Sequence, residues 1–193
     1  MHNLILKLQS IGVIKFGNFE IKKDFISPFQ VDFSGIVSHP EIAKALCNCL
    51  WEKAQNLNFD LLFGVPTTAA CLANYLAWEH DRPLVLKRPN AAEMETKIEG
   101  SFKSGQSCLV IQDVILSGQP TLEVIDDLEE EGIKVRDVLG FFDLELGGRE
   151  KIKTRGYVLH CLLSISEAIQ ILYDAGKLGG DHFKLATDFL END

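Results

Sequence analysis

Leu109, Val110 and Ile111 form an apolar run without a polar face, so the strand they predict must be covered on both sides, as strands of parallel sheets are. Leu61, Leu62 and Phe63 make a second such run, and 83–86, 135–142 and 157–163 are further strand candidates. Helical spacing fills the intervals. Ile42, Leu46, Cys49, Leu50 and Ala54 share one face, a helix is predicted over 67–78, and Leu122, Ile125 and Leu128 share a face within 121–131. Strands alternating with helices specify an α/β domain with a mainly parallel central sheet flanked by helices. Ahead of it, Leu4, Leu8 and Ile11 keep helical spacing, and two short strands are predicted between 13 and 36, joined around 23–28. Ser164 with Glu167 makes a capping box for a helix through Tyr173, and one more helix is predicted over 181–190. Residues 87–106 carry little apolar periodicity and read as a long loop, a length typical of lids and binding segments.

A chain of 193 residues with 46% hydrophobic content can bury one substantial core, so a single domain is expected. The net charge of -9 and the lack of a Lys/Arg cluster exclude a nucleic-acid footprint. No apolar run approaches membrane-spanning length and no signal-peptide core precedes the fold, so a cytoplasmic protein without a membrane partner is expected. The five cysteines have no C-x-x-C spacing and read as small buried hydrophobes in a reducing compartment. The histidines lack metal-ligand spacing, and Trp51 and Trp78 read as packing residues.

The apolar strand delivers Asp113 to its carboxyl end, where open parallel sheets place their ligands. The following Ser117-Gly118 turn opens a helix whose free N–H groups suit a phosphate. Asp113 has a bland reading as a turn-capping acid, but polar groups rarely follow so apolar a strand without a task. Gly64-Val65-Pro66 admits two readings, an ordinary strand-ending turn or a ligand-facing loop. Lys22 taken alone is a solvated strand residue.

Together these segments resemble the orotate phosphoribosyltransferases of the type I phosphoribosyltransferase family, in the form found as the first domain of bifunctional UMP synthases. The resemblance rests on Val13-Ile14-Lys15-Phe16-Gly17 with Lys22 and Ser27-Pro28; Asp32 with Gly35-Ile36-Val37-Ser38; Gly64-Val65-Pro66-Thr67-Thr68-Ala69; Val110-Ile111-Gln112-Asp113-Val114 with Ser117-Gly118; and, more weakly, Gly147-Gly148. It implies the type I phosphoribosyltransferase fold, with a hood over about 1–38, a core over about 39–175 and a C-terminal helix over about 181–190. It also implies transfer of phosphoribosyl from the Mg²⁺ complex of phosphoribosyl pyrophosphate (PRPP) to orotate, giving orotidine 5′-monophosphate and pyrophosphate for UMP synthesis. Asp113, beside Gln112, would hold a ribose hydroxyl; Ser117, Gly118 and Gln119 would wrap the 5′-phosphate; Gly64, Val65, Pro66, Thr67 and Thr68 would face pyrophosphate; Lys22 would reach in from the hood, and Lys87 and Arg88 from the lid. A homodimer is implied, with Phe25 and Phe29 as exposed hood residues for its interface.

The departures from the family pattern fall on its chemical positions. Leu116 stands where the phosphate turn offers Thr, Pro120 has no N–H, and Gln112 replaces the first of two paired acids. On the lid, Ala92 occupies the place of the catalytic lysine, with Glu93 and Glu95 beside it, and the loop is about two residues short for the family. Lys97 is the candidate replacement, against a reading as a solvated loop lysine. Leu144 replaces the Arg that pairs with the orotate carboxylate, Arg149 is expected to face solvent, and Ser34 replaces a hood Arg. Three readings follow: a divergent orotate phosphoribosyltransferase of weak activity, an impaired relative that binds a nucleotide or phosphate as a regulatory module, and a transferase that uses a less anionic base.

Overall fold

The structure, a computed structural model, describes residues 1–22, 25–89 and 96–192. Five strands form the parallel part of the main sheet: β3 (Leu61–Gly64), β4 (Leu84–Lys87), β6 (Ser107–Ile115), β7 (Lys134–Asp143) and β8 (Val158–Ser164). β5 (Ile98–Glu99) adds an antiparallel edge, and the order is β5-β4-β3-β6-β7-β8. The parallel order follows from strand composition. All four residues of β3 are buried, as are Cys108 through Gln112 of β6, so both faces need a helical cover.

Alternation along each strand divides that cover in two. Leu62, Leu109, Ile111, Leu139 and Phe141 point into a core shared with α1 (His2–Ser10), α2 (Pro40–Ala54), α3 (Thr68–Glu79) and α6 (Ile165–Asp174). Leu61, Phe63, Val110 and Val138 point the other way, onto α4 (Gln119–Glu130) and Ile152 of α5 (Gly148–Thr154). Ser164 accepts a bond from the Glu167 N–H and Glu167 returns one, so the expected capping box opens α6.

β1 (Ile14–Lys22) and β2 (Phe25–Val31) form the N-terminal antiparallel hairpin, and a 3-10 turn over Ser34–Ser38 leads back to the core. Phe33 packs at 6.0 Å from Phe141 and 6.4 Å from Phe142, fixing the hairpin over the carboxyl end of the sheet. Phe25 and Phe29 both meet Phe189 of α7 (Gly180–Asn192), and Phe29 is fully buried. They are therefore not the exposed interface residues that the sequence suggested, because the C-terminal helix already covers them.

Other expectations are corrected in the same way. β5 interrupts the expected loop over 87–106, since Leu86 and Lys87 find pairing partners in Glu99 and Ile98. Trp78 is 77% exposed and Cys71 is exposed, against expectation, whereas Trp51 packs against the core and stacks on His80 at 3.8 Å and Cys47 and Cys108 are buried, as expected. Among the described residues no helix is long and apolar enough to cross a membrane.

Candidate active site

β3 ends at Gly64, opposite Ile111, whereas β6 runs on to Ile115; Asp113 therefore lies past the end of its neighbour, at the mouth of a crevice. Gly64 is required there. A Cβ would overlap the Ala70 Cα and lie 2.5 Å from the Ala69 carbonyl, so only glycine lets the start of α3 press on the strand end. Pro66 and Thr67 are exposed beyond it, and the Pro66–Thr67 peptide is cis. Thr67 makes no side-chain cap, which leaves the first-turn N–H groups of α3 without that acceptor.

Asp113 is half-buried. Its Oδ1 accepts the Val114 N–H at 2.9 Å and the Gln112 Nε2 amide at 2.6 Å, while Gln112 is buried and takes a bond from Thr121 at 3.3 Å. Burial pushes the Asp113 pKa up, and the Asp32 carboxylate across the crevice adds to that push against the hydrogen bonds. Asp32 itself is held below the usual range, chiefly by the Ser34 N–H at 2.9 Å. The hood thus faces the strand end with a second acid, which the sequence offered as a motif residue without a role.

The turn after β6 is open. Gly118 adopts a left-handed φ of 69° at the start of α4, and no side chain caps that helix. The Gln119 N–H donates to the Ser117 hydroxyl at 3.3 Å. Gly147-Gly148 has a structural task here. A Cβ on Gly148 would overlap the Leu116 carbonyl and come within 3.0 Å of the Gly118 nitrogen, and one on Gly118 would lie 2.9 Å from the Gly148 carbonyl. Two turns pack backbone to backbone. From α5, Lys151 Nζ donates to the side-chain amide oxygen Oε1 of Gln119 at 2.6 Å and so brings an ammonium to the turn, a residue that sequence reasoning missed.

The cations expected near the chemistry have other partners. Lys87 binds Asp127 at 2.7 Å, and Lys97 binds Asp127 at 2.8 Å and Glu130 at 2.7 Å, both acids on α4. The two carboxylates raise the Lys97 pKa. For Asp127, burial pushes upward, but the two ammoniums outweigh it and hold it low. Arg88 donates to the Ile98 carbonyl at 3.4 Å. Arg149 does not simply face solvent: its Nε binds buried Asp143 at 2.7 Å, and Nη1 reaches the Leu159 carbonyl at 3.2 Å. Lys22 contributes backbone to β1, and its side chain lies outside the described residues, as do Asn90, Ala92, Glu93 and Glu95.

Between the hood and the ends of β6 and β7 lie two adjoining cavities of about 500 and 360 Å³, which share Ile21 and Leu116. Ser117, Glu145 and Leu146 line the first; Glu20, Gln30 and Leu144 line the second.

No protein-family model matches the chain. Orotate phosphoribosyltransferase from Chlamydia caviae is 33% identical over 192 residues, covering 97% of this chain and 93% of that protein. The chain belongs to the orotate phosphoribosyltransferase family. Uridine 5′-monophosphate synthase from Bos taurus is 34% identical over 193 residues, covering 98% of this orotate phosphoribosyltransferase homologue and 40% of the bovine protein. The chain therefore spans about two fifths of the length of that relative. The structure of Leishmania donovani UMP synthase superposes with a TM-score of 0.91 at 22% identity, covering 100% of this chain and 42% of that one, so the orotate phosphoribosyltransferase fold is shared throughout.

Proposed function

We propose that the chain transfers the phosphoribosyl group of Mg²⁺-bound PRPP to orotate, and that it does so slowly. The observation that carries this reading is the pairing of accessible Asp113 with the open Ser117–Gln119 turn past the end of β3. Asp113 is suited to a ribose hydroxyl, the turn to the 5′-phosphate, and the Gly64–Thr68 segment to pyrophosphate. Asp32 and Asp113 repel each other across the crevice, a donor set that favours a substrate carrying a divalent cation. The N1–C1′ bond to orotate forms as the bond from C1′ to the pyrophosphate oxygen breaks, pyrophosphate leaves with its electron pair, and the N1 proton passes to water. Positioning and charge neutralisation supply the acceleration.

Slowness follows from where the cations go. Lys87 and Lys97 are neutralised by α4 and Arg149 by Asp143, so none of the three is unpaired for the leaving group or the orotate carboxylate. Loss of one transition-state cation costs about 10²-fold or more. The relatives named orotate phosphoribosyltransferase and uridine 5′-monophosphate synthase favour this reading over an impaired homologue that binds a nucleotide or phosphate as a regulatory module. We further infer that residues 1–193 act as one unit, because hood, sheet and C-terminal helix share a core, and that the protein works as a cytoplasmic homodimer by family. Calorimetric titration with PRPP and Mg²⁺ tests the donor site, and orotate consumption tests turnover. Absence of PRPP binding would refute the assignment, and turnover of ~10 per second would refute the slowness.

A further inference from the structure

We propose that Phe189 of α7 is a positioning residue for the acceptor side of the site: it braces β2 from behind and so sets where the hood wall stands. This rests on the donor-site reading above, with the base seated in the cleft between the hood and the ends of β6 and β7. β2 gives Phe25 to the larger lobe of that cleft and Phe29, Gln30 and Val31 to the smaller. Both phenylalanines meet the same ring. Phe189 lies 5.5 Å from Phe25, tilted by 57°, and 5.6 Å from Phe29, nearly perpendicular at 88°. Those are separations and tilts at which aromatic pairs attract. Among the described residues of the cleft wall Phe189 is absent, so it acts through β2 rather than by contact with a bound molecule.

A two-stranded hairpin is marginal by itself, and this one is interrupted by register shifts between Phe16 and Phe19 and between Glu20 and Lys22. Its root, where Ile14 pairs with Val31, is fixed by Phe33 against Phe141 and Phe142. Its far end, where Lys22 pairs with Phe25, stands beyond those contacts and meets α7 instead. Ile21, which lines both lobes, belongs to the second irregular stretch, so the ring that holds Phe25 also governs Ile21 across the hairpin. α7 is in turn held on α6. Phe183 stacks on Tyr173 at 4.1 Å and Ala186 is fully buried, and residues 183, 186 and 189 keep the three-residue spacing of one helix face. The helix therefore carries Phe189 from α6 to the hood as a fixed arm. A hood displaced by about 1 Å would misplace the base against C1′, and errors of that size can cost up to about 10²-fold.

The test compares orotidine 5′-monophosphate with ribose 5-phosphate by calorimetry on the full chain. The two share the sugar and the phosphate, and only the nucleotide carries a base for the hood to meet. Phe189→Ala should weaken the nucleotide about tenfold and ribose 5-phosphate by less than about twofold. In turnover the same variant should raise the KM for orotate and leave the KM for PRPP near the parent value, a split that loss of folded protein cannot produce. Equal weakening of the two ligands, or of neither, overturns the proposal. A parent protein that binds neither ligand instead refutes the donor-site reading beneath it. Phe183→Ala removes the same ring from the same helix where it stacks on α6, so it should lower the melting temperature and keep the parent ratio of affinities. A matching loss of nucleotide affinity there would assign the effect to the docking of α7 as a whole and overturn the role of Phe189. Should Phe189→Ala fail to fold, Phe189→Leu keeps most of the apolar volume and should weaken the nucleotide about threefold relative to ribose 5-phosphate. An unchanged ratio in that variant counts against the proposal.

Discussion

Gly148→Ala tests whether the Ser117–Gln119 turn owes its shape to the turn packed behind it. The new Cβ would overlap the Leu116 carbonyl oxygen and approach Ile115 Cγ2 to 2.8 Å and the Gly118 nitrogen to 3.0 Å. Two of these three atoms are backbone of the turn itself, so relief requires the turn or α5 to move by roughly half an ångström, an overpacking that costs about 1–3 kcal/mol. At about 2–4 °C per kcal/mol for a chain of this size, the melting temperature should fall by ~3–10 °C. Below that transition, ribose 5-phosphate should bind about tenfold more weakly, since one misaligned donor is worth ~1 kcal/mol or more. Gly179→Ala is the control, because nothing lies within 4 Å of a Cβ there, and it should change neither quantity. Thermal denaturation and calorimetry on the three proteins decide the matter. A Gly148→Ala protein that melts early yet binds ribose 5-phosphate normally would show the clash relieved through α5, and would refute the coupling of the two turns.

Asp113→Asn keeps an oxygen for the Val114 and Gln112 bonds and removes the charge. Because burial raises the Asp113 pKa in the fold, its stabilising contribution is present below about pH 4 and is lost as pH rises through the raised value. The variant should therefore melt at or above the parent temperature at pH 7, show no advantage in acid, and lose PRPP affinity; a lower melting temperature at pH 7 would contradict this. Arg149→Ala strands a buried carboxylate and should cost about 2 kcal/mol, more than Asp143→Asn, by denaturant titration. Lys151→Gln should weaken ribose 5-phosphate binding about threefold and flatten its salt dependence, whereas an unchanged salt slope would place Lys151 outside the phosphate's field. Chelation of Mg²⁺ should lower PRPP affinity about tenfold or more and leave ribose 5-phosphate nearly unaffected, as calorimetry would show.

The central features of the site were legible because they are local. An apolar run ending in an acid, a glycine turn and a helix start places Asp113 and Ser117 without reference to anything distant, and Ser164 with Glu167 announces its own helix. What escaped depends on pairs far apart in sequence. Lys97 meets Asp127 and Glu130 across the sheet face, Lys151 meets Gln119, and Gly148 meets Leu116, and no period or motif in the chain encodes those encounters. β5 was hidden because two residues carry no periodicity, and its existence depends on the neighbouring edge of β4. Arg149 looked solvent-bound because its partner Asp143 ends a strand on the far side of two glycines.

These distant pairs explain why the electrostatics of the site differ from what the count of nearby cations suggests. Lys87, Lys97 and Arg149 lie within reach of the carboxyl end of the sheet, but Asp127, Glu130 and Asp143 hold them in structural bridges. Among the described residues, the charges near the crevice include those of Asp32, Asp113, Glu20 and Glu145, with Lys15 acting on Asp32 and Lys151 alongside the Ser117–Gln119 turn. Such a surface suits a donor that carries its own divalent cation. Leu116, Leu144 and the bridged cations therefore act in the same direction, because each leaves fewer donors for an anion at the crevice than the family pattern would provide.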